Sequence, residues 1–126
     1  MPQVDRSVFE LVDVPTADGP VQVRALEDLD RLSASQAHAQ LTSICTNGSV
    51  VSGLVVEIEP GCFVDTQGLR VLLEISRLLR SRGAATVVVS SSRTLQRVLN
   101  ILGQEGELPF ASTVAEARQE VFRHVH

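Results

Sequence analysis

The chain has no lysine, no tryptophan and no tyrosine, and only four phenylalanines and two cysteines in 126 residues. Without lysine there is no phosphate-loop cation and no lysine base or Schiff base. With so few aromatics, the core must be aliphatic. Scarce stacking rings, no basic run and a net charge of −4 make nucleic acid a poor partner. No apolar run approaches the roughly eighteen residues of a membrane span, and no secretory apolar region opens the chain, so no membrane association is expected and the cytoplasm is the expected compartment. Cys45 and Cys62 form no CxxC pair and have no histidine at ligand spacing. They read as free thiols in a reducing compartment, Cys62 as a small packing residue rather than a redox group, with no metal.

Catalytic patterns are missing too. There is no GxGxxG, and Gly103-Gln104-Glu105-Gly106 lacks the lysine and the following helix of a phosphate loop. A nucleophile needs a base beside it. His38 falls on a helix pattern remote from the best hydroxyl candidate, while His124 and His126 close the tail. Glu120 and His124 have i, i+4 spacing, but two ligands do not make a zinc site. No enzyme and no cofactor are expected.

What is present reads as one α/β domain over residues 8–123, behind a flexible lead at 1–7. A chain this long buries roughly two-thirds of its unfolded surface in one core. Val8 to Val14 predicts a strand with Val8, Leu11 or Val12, and Val14 inward. Turn formers at 15–20 precede an alternating strand at Val21, Val23 and Ala25, making a hairpin. A helix follows from about Ala34 to Cys45, capped by Ser33 or Ser35, with Leu32, Ala37, Leu41, Ile44 and Cys45 inward. Leu54 to Ile58 is nearly all apolar, as expected of a strand covered on both faces. The longest helix runs from Thr66 to about Arg82, with a polar stripe at Arg70, Glu74, Arg77 and Ser81, and Gly83 as its left-handed stop. Val71 and Leu78 flank its apolar face, as core margin or as contact surface. A strand at Thr86 to Val89, a helix from about Arg93 to Leu102, a short edge strand near Leu108 to Ala111 and a helix from Val114 to about Arg123 complete the order. Ser112 or Thr113 caps the last helix, with Glu116 placed for a capping box. The expected architecture is a mixed open sheet of four to five strands with about four helices packed on it.

Phe63-Val64-Asp65-Thr66-Gln67-Gly68-Leu69 is where the most apolar strand hands over to the longest helix. Asp65 suits an N-cap, which places Thr66 first in the helix, at the carboxyl edge of the sheet, where open α/β sheets put function. A phosphoryl group on Thr66 would meet the helix dipole and free N–H donors, with Arg70 four residues on. Asp65 opposes it by like-charge repulsion. Gly68 would let a partner's backbone approach. The plainer reading is an ordinary Asp-Thr helix start, with Gly68 serving helix–sheet packing.

The order of elements and this junction resemble the STAS domain, and most of all the stand-alone anti-sigma factor antagonists. Ala25 to Asp30 resembles that family's segment after its second strand. Val55 to Ile58, Phe63 to Leu69, Arg97 to Gly103 and Phe110 to Ala117 resemble further family segments in the same order. The resemblance implies a cytoplasmic switch phosphorylated at Thr66 by a serine kinase, often the anti-sigma factor itself, and reset by a phosphatase. The unphosphorylated form would bind the anti-sigma factor and release its sigma factor. It implies a partner-binding surface of Asp30, Asp65, Thr66, Gln67, Gly68, Leu69, Arg70 and Val71. The alternative is a constitutive interaction or scaffold module, indifferent to Thr66.

Overall fold

A computed structural model describes residues 8–13, 20–46, 53–90, 93–102 and 108–125. The expected lead at 1–7, Val14, most of the turn after it and the stop at Gly103 lie outside these residues, as do the side chains of Leu99, Leu102 and His124. A five-stranded sheet runs in the order β1 (Phe9–Asp13), β2 (Val21–Ala25), β3 (Gly53–Glu57), β4 (Ala85–Val89) and β5 (Phe110–Ala111). The first pair is antiparallel, as the hairpin pattern predicts; the other three are parallel. Helices α1 (Ala34–Thr46), α2 (Thr66–Arg80), α3 (Arg93–Leu102) and α4 (Val114–Val125) connect or follow them.

Strand order equal to chain order has a consequence. Successive right-handed crossovers to the next strand leave their helices on one face. One core cluster accordingly joins Val23, Leu54, Val56 and Val88 to Leu41 of α1, Leu72 of α2 and Leu95 of α3. Val55, Val87 and Val89 point the other way, onto Ala117 and Val121 of α4. β3 is therefore covered on both sides, which explains its nearly continuous apolar run. Beyond α4 the second face turns polar. Arg118 donates to Gln22 (3.4 Å), Gln22 donates to Glu57 (3.3 Å), and Arg24 bridges Glu57 (3.2 Å) and Glu10 (3.3 Å).

Local chemistry sets the ends. Asp65 caps α2. At its other end Gly83 adopts φ +80°, Gly83 N–H donates to Arg80 (3.0 Å) and Ala84 N–H to Leu79 (2.9 Å), the paired bonds of a glycine-terminated helix. The helix stops at Arg80, two residues before the expected end. Thr113 Oγ1 accepts from Glu116 N–H, and the Glu116 carboxylate reaches back to Ser112 N–H, both at 3.1 Å.

Two expectations about the core are corrected. Leu32 is 88% exposed, because it lies in the turn before α1 rather than on the helix whose period it seemed to share. Leu11 and Val12 are exposed, on the strand at the edge of the sheet and where its register with β2 becomes irregular, and the buried side chains are Val8 and Phe9.

The outer edge of β1 is closed by a side chain. Gln40 of α1 accepts from Val8 and Phe9 N–H (both 3.0 Å) and donates to Phe9 C=O (2.9 Å), doing for one residue what a neighbouring strand would do. Gln40→Ala is expected to lower stability by about 1–2 kcal/mol. It is also expected to expose the Phe9 amide to hydrogen exchange, measured by NMR. An unchanged Phe9 exchange rate would show that the edge is closed by something else.

Candidate functional site

The carboxyl ends of the parallel strands deliver loops 26–33 and 58–65 to one edge, and the two are stitched together. Leu29 N–H donates to Phe63 C=O (2.8 Å) and Asp65 N–H to Leu29 C=O (3.0 Å), a parallel bridge between Leu29 and Val64. Asp28 Oδ1 accepts from Phe63 N–H (2.7 Å). Asp30 Oδ1 accepts from Leu32 N–H (3.0 Å) and Ser33 N–H (3.1 Å), and Ser33 Oγ donates to Asp28 C=O (2.7 Å). The first loop is thus wound tightly by its own carboxylates and laid against the second. Asp28 and Ser33 were not singled out from the sequence for this, because their partners sit in a loop about thirty residues away or in a turn without period.

Asp65 Oδ1 accepts from Gln67 N–H (2.9 Å) and Gly68 N–H (3.0 Å), and its carbonyl from Leu69 N–H (2.8 Å). It is a full N-cap. Thr66 opens α2 and is exposed, as is Arg70 one turn on; Gln67 is half-buried. The cap corrects one expectation. The Gln67 and Gly68 N–H groups already hold Asp65, so they are not free donors for a phosphate on Thr66.

Three members of the expected contact surface face inward. Leu69 is 1% exposed and Val71 5%, both in the main core. α2 lies on the sheet with α1 along its flank, so its buried arc is wider than a one-sided helix needs. Gly68 is buried as well. A Cβ there would lie 2.6 Å from the Leu29 Cβ and 2.7 Å from its carbonyl carbon. The close approach that glycine permits is to this chain's own Leu29, not to a partner. Exposed instead are Leu26 (52%) and Phe63 (59%), which sequence periodicity did not mark, and Leu32, which it placed inward.

Beside the site, a cleft of about 420 Å³ opens between residues 58–64 and the start of α3, with Ser90, Arg93 and Thr94 on its far wall. Cys62 also lines it. Burial pushes its thiol upward, and Asp28, Glu59 and Glu27 push it further, so it is a poor thiolate. Cys45, on the buried face of α1, is raised to about 11 by burial. His38 pairs with Glu74 (3.3 Å), two turns along α2 from Thr66. Among the described residues no cluster of three potential metal ligands occurs, and no helix is long and apolar enough to cross a membrane.

The sequence profile of the STAS domain matches residues 12–117. This chain belongs to the STAS domain family. Solved STAS structures share the fold over nearly their whole length. An anti-sigma factor antagonist from Mycobacterium paratuberculosis superposes with a TM-score of 0.74 at 18% identity, covering 97% of this chain and 99% of the other. SpoIIAA in its unphosphorylated form gives 0.69 at 22% identity, covering 91% and 96%. The phosphorylated form of Bacillus SpoIIAA gives 0.63 at 21%, covering 90% and 98%. No curated protein matches the chain by sequence. At these identities the likeness is one of fold, and the STAS sheet of five strands with four helices is the architecture its residues predict.

Proposed function

We propose that this STAS domain is an anti-sigma factor antagonist switched at Thr66. Unphosphorylated, it binds an anti-sigma factor with serine kinase activity and frees the sigma factor; phosphorylated, it lets go; a phosphatase restores it. The observation that carries the reading is the exposed Thr66 at the first position of α2, beside a cap that fixes the backbone around it. A kinase needs its acceptor hydroxyl outward and in a defined place. The structural neighbours add support: one is described as an anti-sigma factor antagonist, and SpoIIAA occurs in both phosphorylated and unphosphorylated forms. An unmodified scaffold module remains the competing reading. It loses one argument, because the Val71–Leu78 strip that would serve a constitutive partner is closed by the burial of Val71.

The test is phosphopeptide mass spectrometry on the protein recovered from its host in growth and under stress, with partners co-purified. The expected result is phosphate on Thr66 that varies with condition, and a kinase of the anti-sigma type bound chiefly when it is absent. A Thr66 never modified under any condition, with a partner always bound, would leave the scaffold reading.

A further inference from the structure

The cleft between residues 58–64 and the start of α3 lies outside the carboxyl ends of β3 and β4. These are neighbouring parallel strands, and open sheets hold their ligands beyond such ends. Part of its lining is apolar. Ile58 and Leu95 line it as members of the main core, and Phe63 lines it while largely exposed. The two walls differ in charge. The 58–64 wall carries Glu59; the α3 wall carries Arg93, with the Thr94 hydroxyl next in sequence. Among the described lining residues these are the one acid and the one base, and no ion pair joins them. Cys62 reports the sign of its own wall: burial and then the charges of Asp28, Glu59 and Glu27 push its thiol upward. Opposite charges therefore stand on opposite sides of an apolar-lined space, unjoined to each other.

From this cleft we propose a binding site for a small apolar zwitterion of the amino-acid type. Its carboxylate pairs with Arg93 and Thr94, its ammonium with Glu59, and its apolar side chain packs on Ile58, Leu95 and Phe63. The site does not depend on the reading of Thr66 given above. Charge-assisted bonds at both ends fix the ligand's orientation, and the apolar contact adds affinity without direction. Other classes fit worse. A nucleoside triphosphate brings several negative charges to one arginine and an acidic wall. An amine without a carboxylate is repelled by Arg93, and a carboxylate without an amine by Glu59. A volume of about 420 Å³ is near the lower end of ligand sites. A ligand of about ten non-hydrogen atoms should bind there with a Kd of about 1 mM.

The experiment is amide NMR of the full chain, titrated with L-leucine and with two of its pieces. Isocaproate lacks the ammonium; isoamylamine lacks the carboxylate. Leucine is expected to give saturable shifts at residues 58–64 and 93–95, and each piece to bind about tenfold more weakly. Arg93→Gln should weaken leucine about tenfold and leave isoamylamine no weaker; Glu59→Gln should weaken leucine about threefold and leave isocaproate no weaker. Both side chains are exposed, so the fold should be kept, and thermal melts verify it. The comparison of the three ligands on wild type stands whatever the variants do. No saturable shift from leucine up to about 20 mM would overturn the site. Pieces that bind as well as leucine would make it an apolar cleft without charge recognition. ATP bound more tightly than leucine at the same amides would make it a nucleotide site. Either of these results overturns the zwitterion.

Discussion

Gly68→Ala is expected to lower folding stability by about 2 kcal/mol and the thermal midpoint by roughly 8 °C. The sign is what makes it informative. In an ordinary helix the same change gains about 1 kcal/mol, because alanine has less backbone freedom to lose. Here the added methyl would fall on the Leu29 carbonyl group and its Cβ. Neither is the flexible end of a side chain. Either α2 or the 26–33 loop has to move, and any movement strains the bonds from Leu29 to Phe63 and from Asp65 to Leu29. Gly83→Ala is the comparison, since nothing lies within 4 Å of its added methyl and its cost is only the left-handed backbone at φ +80°. That cost is about 1 kcal/mol. Chemical denaturation of both variants decides the matter. A Gly68→Ala protein more stable than wild type would mean that α2 and the 26–33 loop are not in contact through this glycine.

Thr66→Asp is expected to weaken binding of the anti-sigma kinase by about 100-fold. It should change folding stability by less than about 1 kcal/mol. The disparity follows from the cap. A new carboxylate at the first helical position meets the favourable end of the helix dipole, but the N–H groups of Gln67 and Gly68 are already engaged by Asp65. The added charge therefore finds little to bind within its own chain. It stays outward, beside the like charge of Asp65. Thr66→Val keeps the shape and drops the hydroxyl, and should bind within about threefold of wild type, since an exposed hydroxyl contributes little by itself. Calorimetric titration of the three proteins separates the readings. Equal binding by wild type and Thr66→Asp would make the domain a constitutive adaptor.

The parts of this structure that were legible in the sequence are those decided over a few residues. Asp65 as a cap, Gly83 as a stop, the polar stripe of α2 and the alternation of β2 all depend on near neighbours. The parts that were not legible depend on contacts far along the chain. Val71 stood between core margin and contact surface because a helix on a sheet has one buried face; α1, packed on α2's flank, gave it a second. Leu32 fitted the period of α1 but preceded its first turn. Gly68 read either as a packing residue or as an opening for a partner because nothing local decided between them; the decision for packing comes from Leu29, across the edge of the sheet.

The bridge between Leu29 and Val64 prolongs the β2–β3 ladder past the ends of both strands, so the edge that bears Thr66 is held as part of the sheet. Little chain entropy is left there to lose on association. A modification at Thr66 also leaves no loop to reorder, and so no slow relaxation to await. The persistence of such a signal is then the lifetime of the phosphoester bond, set by the enzymes that make and remove it and not by the folding of the domain that carries it.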